Sequence, residues 1–138
     1  MKKTFRYLFT LASLTCFLVS CDPDDNNPPD DTDPRDKFVG SWSCNENSSQ
    51  NGISTFTVTI SLNTGNSTQI YLSNFYGLTS NQVYAVIAGN SATIPSQTVS
   101  TFTINGSGTM SSANTKIDWS YNVNDGADID NCTAVFSK

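Results

Sequence analysis

Polar and apolar residues alternate most strictly in Thr55-Phe56-Thr57-Val58-Thr59-Ile60-Ser61-Leu62. Every second side chain here is apolar, which is the period of a β-strand with one buried face and one solvated face. The same alternation recurs in 102–104 and 117–123, and turn-type pairs such as Asn51-Gly52 and Asp125-Gly126 separate the runs. No segment shows the 3.6-residue period of a long amphipathic helix. The sequence therefore predicts an all-β domain built from consecutive hairpins.

The turn signals divide this domain into eight or nine short strands. An up-and-down barrel removes the two exposed edges of such a chain, whereas a two-sheet sandwich protects them only in part. We therefore predict a small up-and-down barrel of eight or nine antiparallel strands. The expected strands are 38–46, 53–63, 68–75, 82–88, 91–95, 98–104, 107–112, 115–123 and 131–137.

The first 20 residues have the features of a secretory signal peptide. Basic Lys2, Lys3 and Arg6 precede an apolar run at 7–19, which is shorter than the roughly 20 residues that a membrane-spanning helix needs. The run ends in Leu18-Val19-Ser20-Cys21, which resembles the lipobox of bacterial lipoproteins. We expect cleavage before Cys21 and acylation of its thiol, which would anchor the mature chain to a membrane. An ordinary signal peptide with a chance cysteine is the alternative.

Residues 22–36, DPDDNNPPDDTDPRD, form an acidic, proline-rich segment without apolar residues. Burial cannot offset the entropy of ordering such a segment, so we expect residues 21–36 to be a disordered tether before a domain at 37–138. Asp22, Asp24 and Asp25 directly follow the cysteine and resemble the surface-export signal of Bacteroidota lipoproteins. A solvated spacer that carries no address is the alternative.

The cysteine count suggests a covalent link between the ends of the barrel. Cys16 leaves with the signal peptide and Cys21 is acylated, so the domain keeps Cys44 and Cys132. Their positions in the alternation place both side chains on the inward face, one in the first strand and one in the last. We expect a disulfide between them, and two free buried thiols are the alternative.

Short motifs along the domain resemble those of lipocalin-type barrels. Phe38-Val39-Gly40-Ser41-Trp42 looks like the Gly-x-Trp that opens their first strand, and the chain is similar to a group of short Bacteroidota outer-membrane lipoproteins with a lipocalin-like barrel. The resemblance implies this fold and a lipid-anchored location at the outer membrane, exposed at the cell surface, and it brings no established activity. The chain lacks two marks of true lipocalins, a C-terminal helix and a basic residue that packs on Trp42. The other matching segments are Leu72-Ser73-Asn74-Phe75, Thr93-Ile94-Pro95-Ser96-Gln97, Gly106-Ser107-Gly108-Thr109 and Cys132-Thr133-Ala134.

The composition argues against catalysis and against nucleic acid as a partner. The chain has no histidine, the commonest general base and metal ligand, and no free thiol remains once the anchor and the disulfide are assigned. From residue 37 onward three lysines face five acidic residues, which leaves no basic surface for a phosphate backbone. We expect neither an enzyme nor a cofactor.

Two groups of residues are candidate ligand sites. Asp125, Asp128 and Asp130 have a spacing that suits calcium, but a plain hairpin loop explains the same residues and is the interpretation we favour. Tyr71 and Tyr84 lie opposite the inward residues of their strands, where exposed rings could stack on a glycan; ordinary strand propensity is the alternative. Two functions follow: an accessory partner of an outer-membrane protein, or a module that binds a glycan or small apolar ligand. A hollow barrel would favour the second.

Overall fold

The computed structural model describes residues 32–138, which form a closed barrel of eight antiparallel strands. The strands are β1 Gly40–Ser48, β2 Gly52–Leu62, β3 Gln69–Ser73, β4 Gln82–Ala88, β5 Ser91–Val99, β6 Phe102–Met110, β7 Lys116–Asn124 and β8 Ile129–Ser137. Each strand pairs with the next along the chain, and β8 pairs with β1, so the predicted up-and-down barrel is confirmed. We call the end that carries the β1–β2, β3–β4, β5–β6 and β7–β8 connections the upper end, and the opposite end the lower end.

The barrel closes by backbone pairing, and the predicted disulfide is wrong. Cys44 and Cys132 are both buried, as their alternation predicted, but both are free thiols. Cys44 lies opposite Phe136, whereas Cys132 lies opposite Ser48, so the cysteines are offset by four residues along β1. That offset is about 13 Å at the rise of a β-strand. A disulfide needs Cα atoms within about 7 Å, so the register excludes the bond.

Apolar side chains from all eight strands pack into one core inside the barrel. Inward and outward residues alternate without interruption along β7 and β8, and every inward side chain of β8 is buried. The interior is therefore occupied by the chain's own side chains. The largest fully buried ones are Trp42, Phe38, Phe75, Phe136, Ile60, Ile70, Leu72, Ile94, Ile104, Ile117, Val58 and Val83.

Trp42 closes the lower end. A short 3-10 helix, Asp36–Phe38, precedes β1, and the Trp42 indole Nε1 donates a 2.7 Å hydrogen bond to the Phe38 carbonyl oxygen. The Lys138 ammonium lies 4.2 Å from the centre of the Trp42 ring and donates a hydrogen bond to the Val39 carbonyl oxygen. The prediction that no basic residue packs on Trp42 is therefore wrong. Pairing of the last strand with the first brings the C-terminal lysine to this tryptophan, and sequence spacing does not reveal that contact.

Arg35 moves the start of the folded domain into the segment that we expected to be a disordered tether. Its side chain is buried and pairs with Asp33 at 2.5 Å. Its Nη1 atom donates hydrogen bonds to the carbonyl oxygens of Asn63 and Asn66 in the β2–β3 connection and of Gln69 at the start of β3. Residues 33–36 are therefore part of the lower end. One arginine can order an acidic segment because its guanidinium offers five donors in a fixed geometry.

The predicted division of residues 98–112 into two strands is wrong. Asn105 and Gly106 lie inside β6, and the turn lies at Ser100 and Thr101, where Ser100 adopts a φ of 59°. Gly106 is required by packing and not by a turn. A Cβ atom there would lie 2.3 Å from the Cβ of Tyr121 on the neighbouring strand. Gly108 makes room for the Trp119 ring in the same way.

Phe75 fills the interior from the upper end. It begins the short 3-10 helix Phe75–Gly77 in the β3–β4 connection and is buried. Its ring centre lies 4.5 Å from that of Tyr121, 5.7 Å from that of Trp119 and 6.2 Å from that of Phe136. The flanking residues Asn74 and Tyr76 both adopt positive φ, which non-glycine residues rarely do, so tertiary packing holds this turn.

Candidate functional site

The upper end of the interior holds a group of buried or partly buried polar side chains, which we call the upper polar cluster: Glu46, Ser48, Tyr76, Tyr121 and Asp130. Glu46, Ser48 and Asp130 are 5%, 4% and 3% exposed. Each is in phase with the inward residues of its strand, Glu46 with Trp42 and Cys44, and Asp130 with Phe136. Buried carboxyl groups are rare unless they are hydrogen-bonded, so the partners of these two decide what the cluster does.

Asp130 is a fully hydrogen-bonded carboxylate. Ser48 Oγ and the Tyr76 hydroxyl donate to its Oδ2 atom at 2.5 and 2.8 Å. Ser49 Oγ and the Gln50 backbone N–H donate to its Oδ1 atom at 2.9 and 3.2 Å. Burial by itself would raise the pKa of Asp130, but these hydrogen bonds outweigh it and hold the pKa at about 2. Asp130 therefore carries a negative charge at neutral pH and ties the β1–β2 and β3–β4 connections to β8.

Glu46 has the opposite electrostatic character. Burial and the negative charge of Asp130 both raise its pKa, while a hydrogen bond from the Tyr121 hydroxyl opposes that rise. Burial and the Glu46 carboxyl also raise the pKa of Tyr121, so its phenol stays protonated. The pKa values of two carboxyl groups in one low-dielectric interior are thus moved in opposite directions. This pairing stabilises the cluster without a buried cation.

The thiols beside the cluster are not activated nucleophiles. Burial raises the pKa of both Cys44 and Cys132 to about 12, and the nearby carboxyl groups add to the rise. A thiolate is the reactive form of cysteine, and its population at neutral pH is negligible at such a pKa. Within residues 32–138 no group of three or more carboxyl and thiol side chains is arranged to hold a metal ion. The geometry of the cluster is that of a structural closure.

The candidate calcium residues do not come together. Asp125 is exposed and caps the β7–β8 turn, since its Oδ1 atom accepts hydrogen bonds from the backbone N–H groups of Ala127 and Asp128, both at 2.8 Å. Asp128 is exposed on the same turn. Asp130 belongs to β8 and points into the barrel, away from this turn. The hairpin loop explains Asp125 and Asp128, whereas Asp130 is a core residue that we wrongly placed in the loop.

Tyr71 and Tyr84 do come together, as direct cross-strand partners of β3 and β4. Both are partly exposed and alternate with the buried residues Ile70, Leu72 and Val83, so the outward orientation predicted for them is confirmed. The sequence placed each ring on the wall, but only the register of β3 against β4 makes them neighbours.

The outer wall of the barrel is almost free of charge. Along the strands, the charged outward positions are Lys116 and Asp118, which form an ion pair with each other at 2.9 Å. The large apolar side chains exposed on the described part of the chain are Ile53 at 75%, Ile129 at 56% and Val135 at 40%, and all lie on β2 or β8, the two neighbours of β1. A groove of about 300 Å³ crosses this wall. It is lined by Asn45, Asn47, Asp118, Trp119, Thr133, Ala134 and Val135.

Cys21, Asp22, Asp24 and Asp25 lie outside the described residues, so their proposed roles in lipidation and export rest on the sequence. In the part of the chain from Thr32 onward, no helix is long and apolar enough to cross a membrane.

The fold has counterparts among solved structures. A redesigned beta barrel superposes with a TM-score of 0.56 at 10% identity, over 77% of this chain and 95% of its own. The structure of EF1p2_mFAP2b bound to DFHBI superposes with the same score at 13% identity, over 78% and 99%. No protein-family model and no curated protein matches the chain. At these identities the likeness shows the barrel fold alone.

Sequence reasoning missed the upper polar cluster. Glu46 falls in the predicted strand 38–46 but was assigned to no site, and Asp130 was grouped with the loop. The signal was present, because both acids fall in phase with apolar inward neighbours. An acidic residue in that phase indicates a buried, hydrogen-bonded carboxyl group. The alternation does not reveal its partners, because Tyr121 of β7 bonds Glu46, and residues around the β1–β2 and β3–β4 connections bond Asp130.

Proposed function

We propose that this chain is a lipoprotein of the outer membrane, anchored through Cys21 and exposed at the cell surface, whose barrel is non-catalytic and acts as an accessory partner of an outer-membrane protein. Asp22, Asp24 and Asp25 act as its export signal. One observation carries the proposal: the interior is packed with side chains, while the exposed aliphatic residues lie on neighbouring parts of the outer wall. Recognition is therefore assigned to the wall.

The packed interior argues against the alternative of a small apolar ligand held inside the barrel. Ligand pockets are concave spaces that bury most of the ligand's surface. In this chain the space at the upper end is taken by Phe75, which contacts the rings of Trp119 and Tyr121. The upper polar cluster adds a hydrogen-bonded layer at the same end. A ligand could enter only by displacing the core.

The wall around β1 is the part best suited to bind a protein. Ile53 lies opposite Asn47 on one side of β1, and Val135 lies opposite Asn45 on the other. Val135 also lines the groove. Exposed apolar side chains amid uncharged polar ones can be buried without removing water from an unpaired charge, which is the usual composition of an interface centre.

The anchor is tested by Cys21→Ser. We expect this variant to move from the membrane fraction to the soluble fraction. Two or more acyl chains on Cys21 would supply stable membrane affinity, and a serine at this position has no thiol to carry them. Immunoblots of fractionated cells measure the change. Cys16→Ser, within the signal peptide, is the matched control and should fractionate like the wild type. Retention of Cys21→Ser in membranes would disprove lipid anchoring.

The binding wall is tested by Val135→Glu in the full-length protein, extracted from membranes in mild detergent. We expect the variant to lose its co-migration with a larger membrane complex, with affinity weakened at least about tenfold, because a buried unpaired carboxylate is costly. Thr93→Glu, at an exposed wall position on β5, is the control. A wild type that migrates as an isolated monomer, or equal behaviour of both variants, would contradict the proposal.

A further inference from the structure

The outer wall of β3 and β4 carries a second feature that the protein-binding proposal does not use, the tyrosine pair of Tyr71 and Tyr84. The backbone shows how these two residues are paired. The Tyr84 N–H donates to Gln97 Oε1 at 3.0 Å, and the Tyr84 carbonyl oxygen accepts from Gln97 Nε2 at 2.8 Å. Both backbone groups of Tyr84 therefore face β5. Tyr84 and Tyr71 consequently form a non-hydrogen-bonded pair, the type in which antiparallel side chains approach most closely.

The Gln97 side chain can bond the backbone of Tyr84 because β4 and β5 are paired with each other only near the lower end. The two strands pair only from Val86 opposite Thr93 to Ala88 opposite Ser91. Above that point the register of β5 against β6 shifts between Ile94 and Gln97. There the Gln97 side chain, and not the β5 backbone, bonds to Tyr84. The tyrosine pair thus lies beside a stretch of the wall where the Gln97 side chain replaces backbone pairing between β4 and β5.

The hydroxyl groups of the pair are free to bind a ligand. Within residues 32–138, neither Tyr71 nor Tyr84 donates or accepts a side-chain hydrogen bond, whereas the Tyr76 and Tyr121 hydroxyls are used inside the barrel. Both tyrosines are partly buried, which already restricts the rotation of their side chains before a ligand binds. Tyrosine combines an apolar ring face with a polar tip, which suits a ligand that has both kinds of surface.

The surroundings of the pair exclude a charged ligand. Its neighbours on the wall are uncharged hydrogen-bonding groups: Ser61 lies opposite Tyr71, and Ser73 lies opposite Gln82, whose Nε2 donates to Ser73 Oγ at 3.0 Å. An ionic ligand would lose water here without gaining a counter-charge. A neutral sugar ring needs no counter-charge, since it offers an apolar face and several hydroxyl groups.

We propose that the tyrosine pair is a binding site for an uncharged saccharide chain. Sugar rings pack on the faces of Tyr71 and Tyr84, and their hydroxyls exchange hydrogen bonds with the phenols and with the neighbouring serine and glutamine side chains. This site is separate from the wall around β1 and does not depend on a protein partner, so either proposal can fail alone.

The test uses the mature protein in detergent with isotope-labelled tyrosine, titrated with neutral hexasaccharides of glucose and mannose. After signal cleavage the chain has four tyrosines, which gives two internal controls. We expect millimolar hexasaccharide to shift the ring resonances of Tyr71 and Tyr84 and to leave those of Tyr76 and Tyr121 unchanged. Tyr71→Ala and Tyr84→Ala should each weaken binding about tenfold. Thr109→Ala, on β6, should not.

Two further measurements separate the contributions. Tyr71→Phe and Tyr84→Phe keep the ring and remove the hydroxyl, so we expect a smaller loss than with alanine. Polygalacturonate, an anionic polysaccharide, should bind at least about tenfold more weakly than the neutral probes. The proposal is overturned if no hexasaccharide shifts either outer tyrosine, if all four tyrosines shift together, or if the anionic polymer binds as well as the neutral ones.

Discussion

Replacing Asp130 with asparagine is expected to lower the free energy of unfolding by about 2 to 3 kcal/mol at neutral pH. The amide can accept through only one of its two positions, so either the Ser48 and Tyr76 hydroxyls or the Ser49 hydroxyl lose their carboxylate acceptor. The hydrogen bonds that hold the pKa of Asp130 at about 2 are stronger to a charged oxygen than to a neutral one. Urea unfolding of both proteins at constant pH measures the loss.

The stability difference between the two proteins should depend on pH, whereas a simple loss of packing would give the same difference at every pH. The pKa of Asp130 is lower in the folded chain than its ordinary value of 3.8, so the unfolded chain binds the proton more readily. Its contribution is therefore complete above about pH 5 and disappears as the pH falls towards about 2. The difference in stability between wild type and Asp130→Asn should shrink over that interval. A difference that is constant from pH 7 to pH 3 would contradict the assignment.

Glu46→Gln is the matched control, because it alters a carboxyl group in the same cluster with the opposite shift. Burial raises the pKa of Glu46 in the folded chain, so folding becomes less favourable as the pH rises through its titration. Glutamine keeps a partner for the Tyr121 hydroxyl and removes the cost of a buried charge. We expect the free energy of unfolding to change by no more than about 1 kcal/mol, or to increase by more at pH 8 than at pH 5.

Phe75→Ala is expected to produce the largest loss of stability, about 3 to 5 kcal/mol. The substitution removes a ring that contacts Trp119, Tyr121 and Phe136, and a closed barrel cannot collapse to fill the space. The cavity would be apolar, and cavities of that kind bind small aromatic molecules. Thermal melts with and without benzene measure both effects, and benzene should raise the melting temperature of the variant only.

Phe75→Leu and Phe75→Met keep the test informative if the alanine variant does not fold. Each retains most of the buried volume, so we expect a loss below about 1.5 kcal/mol. The order of stability should follow the side-chain volume at position 75. If Phe75→Ala were as stable as the wild type, the interior would not be packed as described, and the argument that assigns recognition to the outer wall would lose its basis.

The sequence alone determined the class of fold and the face on which most side chains lie. Strict alternation in 55–62 and 117–123 is a local property, since each residue turns the next one to the opposite face. It therefore predicted the strands, the inward cysteines, the outward Tyr71 and Tyr84, and a barrel as the closed form of a chain of hairpins. The patterns at 1–20 and 22–36 are equally local, and the signal peptide and acidic tether inferred from them are proposals.

The tertiary structure decided everything that depends on register. Alternation states which face a residue occupies but not which residue lies opposite it, because sliding one strand by two residues preserves both faces. That freedom is why the Cys44–Cys132 disulfide was wrong and why Lys138 was not expected to reach Trp42. It is also why the pairing of Tyr71 with Tyr84 and the hydrogen-bond donors around Asp130 were not foreseen. These contacts join segments far apart in the chain, and only closure of the barrel brings them together.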